Sequence, residues 1–130
     1  MQISHLDHLV LTVNDIEATL VFYSLVLGMK EERFGEGRVA LKFGNQKINL
    51  HEYGNEFEPK SHRPTPGSAD LCFITQTPIE EAIAHVKQCG IEIIQGPVER
   101  TGASSQLISF YFRDPELNLI EVANQIYSTS

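Results

Sequence analysis

Two imidazoles and two carboxylates stand at matching places in two halves of this chain, His8 with Asp70 at an offset of 62 and His51 with Glu121 at an offset of 70. Such a set suits a hard-to-borderline divalent ion that keeps open positions for water or substrate oxygens. An ion held this way polarises adjacent oxygens, and a carboxylate able to swing off it serves as a base, a role that falls to Glu121. With His8, His51 and Glu121 alone, the set becomes two His and one carboxylate, the pattern of non-haem Fe(II) oxygenases. Asp70 therefore separates two chemistries.

Strand alternation is what aims these side chains. In residues 47–52, Ile48 and Leu50 should face a helix, leaving Asn49 and His51 on the other side. In residues 117–123, Ile120 and Val122 take the helix side and Leu119 and Glu121 the opposite one. The plainest letter match, FGNQKINLHE on FRDPELNLIE, instead sets Glu52 against Glu121, so Glu52 is a rival to His51.

The elements repeat with the residues. Residues 6–13 (LDHLVLTV) read as a strand, after which Asn14 and Glu17 form a capping box for a helix that Gly28 ends. Residues 69–75 (ADLCFIT) are the second such strand, with Thr77 and Glu80 as the box, Pro78 at the first helical position and Gly90 as the stop. Three short strands follow each helix, at 29–34, 38–43 and 47–52, then at 91–98, 106–113 and 117–123. Each half thus reads βαβββ, about 1–53 and 68–125, as two modules of a single domain. Residues 54–67 (GNEFEPKSHRPTPG), polar and with three prolines, read as the linker between them, able to serve packing within one chain or across to a partner.

The runs DHLVLTVNDIEATLVFYSLVLGM and FRDPELNLIEVAN, with the paired modules, resemble the vicinal-oxygen-chelate superfamily of glyoxalase I, bleomycin-resistance proteins, thiol transferases and extradiol dioxygenases. The resemblance implies an α+β fold, two βαβββ modules forming an open eight-stranded cup-shaped sheet around one divalent ion, Ni, Zn, Co, Mn or Fe. Carried over by position, its ligands are His8, His51, Asp70 and Glu121. Asp70 stands where metal-binding members usually carry His or Gln, and His51 where glyoxalases usually carry Glu. The reading that follows is a lyase of the glyoxalase I type, with a 2-oxoaldehyde hemithioacetal as substrate and glutathione as co-substrate. A dioxygenase or thiol transferase of the same superfamily, or a metal-free drug binder, are the alternatives; the ligand-type residues speak against the binder, and the short chain against dioxygenases built from four modules.

Composition is that of a globular enzyme or binder. Hydrophobic residues make up 42% of 130, enough for a packed core in one domain. A net charge of −7, with the ten basic residues forming no run, argues against a nucleic-acid partner. No apolar run approaches the ~20 residues of a membrane span. Cys72 and Cys89, without CxxC spacing, are expected as buried free thiols of a cytoplasmic protein. The open sheet edges and the linker point to a homodimer. His5, His62 and His85 have no chemical role in this reading, Arg33, Arg38, Arg100 and Tyr111 are candidates for an anionic substrate group, and residues 102–105 read as a flexible loop.

Overall fold

A computed structural model describes residues 1–127, and the chain divides into two compact units, Met1–Ser68 and Ala69–Ser130. In the first unit, β1 (His8–Val13) leads into α1 (Ile16–Leu27), then β2 (Lys30–Phe34), β3 (Arg38–Phe43) and β4 (Gln46–Glu52). The sheet runs β1-β4-β3-β2, with β1 parallel to β4 and the other neighbours antiparallel. Asp15 caps α1, its carboxylate accepting from the Ala18 amide at 2.9 Å, so the cap lies one residue beyond the Asn14 expected from sequence. Gly28 ends the helix at φ +67°, a left-handed conformation that costs a glycine little. Val13, Leu20, Tyr23, Leu41, Ile48 and Leu50 are almost fully buried and form the core beneath α1.

The second unit repeats the plan with β5 (Asp70–Ile74), α2 (Ile79–Gln88), β6 (Gln95–Thr101), β7 (Gln106–Arg113) and β8 (Leu119–Ile126), ordered β5-β8-β7-β6. The eight strands of this α+β fold therefore form two ladders of four. Pro78 occupies the N-cap of α2 in an extended conformation with no side-chain cap, in place of the Thr77 box, and acidic Glu80 and Glu81 in the first turn favour the positive end of the helix. Residues 91–94, read from sequence as the start of a strand, stay outside the ladder. The register shifts between Gln95 and Val98, where a Cβ on Gly96 would lie 2.6 Å from the Phe110 Cα, so only glycine passes. Phe110, Phe112, Ile120, Val122, Ile79 and Val86 make this unit's core.

One polar cluster fixes the strand that carries Glu121. Asp114, buried at the end of β7, accepts through Oδ1 from the amides of Glu116 and Asn118, and through Oδ2 from the Asn118 side chain, each at 2.9 Å. Asn118 in turn accepts from the Ala69 amide at 2.9 Å. Every buried donor in the turn thereby finds an acceptor, and the β7–β8 connection is tied to the first residue before β5. The DPxxN run is thus a clasp for the register of β8 against β5.

Candidate functional site

Residues side by side in register share a sheet face, so the ladders state which candidates stand together. In the first unit His8 pairs with Lys47, Val10 with Asn49 and Thr12 with His51. In the second, Asp70 pairs with Leu119 and Cys72 with Glu121. Glu121 thus lies two residues along from the partner of Asp70, and the residue two along from the partner of His8 is Asn49. The internal counterpart of Glu121 is Asn49, at an offset of 121 − 49 = 72, and not His51. The match at 70 is corrected by this register. Alternation assigned the faces properly, but the offset grows from 62 to 72 because the second unit is longer at several places: six residues against two between helix and next strand, strands of seven and eight against five and six, and five residues against two in the last turn.

Each unit then presents one diagonal pair on the face away from its helix, His8 with Asn49 and Asp70 with Glu121, separated by ~6.6 Å along the strands and ~4.8 Å across them. The Asn49 Oδ1 is buried with no hydrogen-bond partner among the described residues, a condition that costs about 1–3 kcal/mol and that an electropositive ligand would relieve. His8 is exposed, and its Nδ1 lies 2.9 Å from the Asp7 carboxylate, an arrangement that leaves Nε2 outward. His51 pairs four residues beyond His8, ~13 Å along the strand. Glu52 falls on the helix side by alternation, is exposed, and accepts from the Asn55 side chain at 2.8 Å, which removes it as a rival.

His51 is 7% exposed and packs edge-on against Phe57 at 5.6 Å between ring centroids, while the Arg38 guanidinium covers the same ring at 4.3 Å. Burial, and then the nearby Arg38 charge, hold its pKa below the ordinary histidine value. The uncharged imidazole is the form that this surrounding favours.

Around Glu121 the second unit places Cys72 on one side in register and Tyr111 on the other. Partial burial of the thiol, then the Glu121 and Asp70 charges, push Cys72 up to about 11, so it stays protonated and hydrogen-bonds to the Glu121 carboxylate. Arg100 donates to the Tyr111 hydroxyl at 2.9 Å. Both cysteines are free, as read from sequence, but Cys72 is exposed and Cys89 half-buried, so neither is a core thiol. Arg33 is ion-paired with Glu17 and Glu31, and residues 102–105 close on a 2.8 Å bond from the Gly102 amide to the Ser105 carbonyl. His5 bonds Ser4, and His85 lies 3.9 Å from the Cys89 sulfur, so neither joins the face.

Among the described residues no group of three or more His, Cys, Asp or Glu side chains is arranged to hold a metal ion. The first unit's pair is an imidazole and an amide oxygen and the second unit's is two carboxylates, donor types that a hard-to-borderline divalent ion takes. Asn49 is the member that sequence reasoning missed. Its signal was available in counting strand pairs outward from β1 and β5, had the hairpin lengths been known.

The profile of the glyoxalase/bleomycin resistance protein/dioxygenase superfamily matches residues 5–122. The virulence protein STM3117 of Salmonella typhimurium is 56% identical over 97% of this chain and 88% of its own. An integron cassette protein from the V. cholerae mobile metagenome is 62% identical, with a TM-score of 0.94 over 98% of each chain. A lactoylglutathione lyase from Agrobacterium tumefaciens shares the fold at a TM-score of 0.72 and 22% identity, over 95% of this chain and 96% of that one. Two βαβββ units, a candidate donor pair on the open face of each, and a profile match over nearly the whole length lead to one assignment: the chain belongs to the glyoxalase/bleomycin resistance protein/dioxygenase superfamily.

Proposed function

We propose that the protein is a metal-dependent lyase of the glyoxalase I type, converting the hemithioacetal of a 2-oxoaldehyde and a thiol such as glutathione into a 2-hydroxy thioester. The observation that carries this reading is Glu121, a carboxylate on the open face of a central strand, with the Cys72 thiol on one side and Tyr111 on the other. His8, Asn49, Asp70 and Glu121 would hold one divalent ion, with Asn49 in the place expected for His51. Such an ion, when bound, polarises the two vicinal oxygens of the substrate.

Glu121 performs the proton movement. Its carboxylate takes the proton from the carbon bearing the thiol and hydroxyl and returns it to the neighbouring carbonyl carbon, while the hydroxyl proton passes to that carbon's oxygen, so that the first carbon becomes the thioester carbonyl and the second the alcohol. The net change is an isomerisation that consumes no other reactant. Cys72, donating to the same carboxylate, orients it until substrate displaces that bond. The register supports the lyase over an extradiol-type dioxygenase, because one imidazole in the set leaves the two-His-one-carboxylate pattern incomplete. A homodimer in the cytoplasm is part of the same proposal. The test is thioester formation from methylglyoxal and glutathione by protein loaded in turn with nickel, zinc, cobalt or manganese. Turnover with at least one metal is expected, and none with any of them overturns the reading.

A further inference from the structure

His51 is a buried imidazole that the lyase reading leaves without a task, and it forms the wall of a cavity of about 300 Å³ inside the first unit. The floor is the sheet face itself, Val10 and Thr12 of β1 beside His51 of β4. The cover is the segment after β4, through Pro59, Ser61 and Pro64. Val10 pairs with Asn49 and lies two residues from His8, so the cavity begins next to the candidate donor pair of this unit.

Its chemistry is that of a neutral guest. The Lys60 ammonium at its edge lies 3.4 Å from Glu58 and 3.8 Å from Glu56, so its charge is already answered. His51 packs against Phe57 and lines the cavity with its ring. What remains toward the interior is apolar surface from Val10 and the two prolines, two hydroxyls, and one imidazole whose ring nitrogens can hydrogen-bond a polar atom. A cavity of ~150 Å³ holds a benzene ring, so this one takes an aryl or branched group with one polar substituent.

We propose that this cavity is a specificity pocket for the uncharged organic substituent of the substrate, an aryl or branched alkyl group on the 2-oxoaldehyde, with His51 hydrogen-bonding a polar atom of it. This rests on the lyase reading for the identity of the guest, and on the cavity alone for its class. Segment 54–67 thereby becomes part of the site and not only a tether.

The test has two arms. In the first, nitrogen-detected NMR of the histidine rings follows addition of 2-hydroxyacetophenone, a neutral aryl ketone that cannot turn over, with benzoate as control. A saturable change confined to His51, absent at His62 and His85 and absent with benzoate, is expected; no change at His51, or equal change with benzoate, overturns the proposal. In the second, kcat/KM for the glutathione hemithioacetal of phenylglyoxal is compared with that of methylglyoxal. At least tenfold preference for the aryl substrate is expected, collapsing toward parity in Val10→Phe, which fills the pocket; equal rates in the wild type overturn the proposal. Binding without turnover would sink the lyase and keep the pocket, whereas turnover with no aryl preference and an unmoved His51 would do the reverse.

Discussion

Glu121 is asked to be both ligand and base, and the two duties respond differently to one substitution. Glu121→Gln keeps an amide oxygen for the ion but offers nothing that accepts a proton near neutral pH. Thioester formation should fall by ~10²–10⁴-fold while elemental analysis still finds metal; full activity in this variant would remove Glu121 from the chemistry. His51 makes a prediction of another kind. Its folded-state pKa is depressed from 6.5, so the unfolded chain binds the proton more readily. The stability it contributes is present above pH 6.5 and is lost as pH falls from there through the lower folded value. His51→Phe should therefore flatten the fall in urea midpoint between pH 7.5 and 5.5, and an unchanged slope would mean that the imidazole titrates normally.

At the scale of elements, the clasp of Asp114 and Asn118 does for β8 what no hydrophobic pattern does, because alternation fixes which face a residue takes but leaves the slide of one strand along another open. Asn118→Ala removes the acceptor for Ala69 and the donor to Asp114 inside a buried turn. It should lower stability by about 2 kcal/mol, read as a shifted urea midpoint at constant m, and should weaken metal uptake by loosening Glu121 against Asp70. The same distinction explains what the sequence disclosed. Helices, strands and faces were legible in caps, glycine stops and alternation, down to Ile48 and Leu50 inward and Asn49 outward. The first-unit counterpart of Glu121 was not, since it depended on the lengths of the α2–β6 connection, the β6–β7 hairpin and the β7–β8 turn. Burial of His51 was equally hidden, because it arises from Phe57, a residue in a stretch that reads as linker.

For the whole molecule, the proposed assembly is a pair of chains. Light scattering at micromolar concentration should give the mass of a dimer of this 14.6 kDa chain, and a monomer would contradict it. Among the described residues no helix is long and apolar enough to cross a membrane.

The register has a consequence for how a doubled chain diverges. The first unit offers only uncharged donors, an imidazole and an amide, and the second only anionic ones, so in the proposed set both negative charges facing a dication come from one half. The copies are no longer exchangeable. A chain built from two first units would bring no charge to the ion, and one built from two second units would bring four carboxylates and favour calcium or magnesium. In the proposed set, electroneutrality at the ion is a reason for both halves to persist as partners, each keeping what the other has given up.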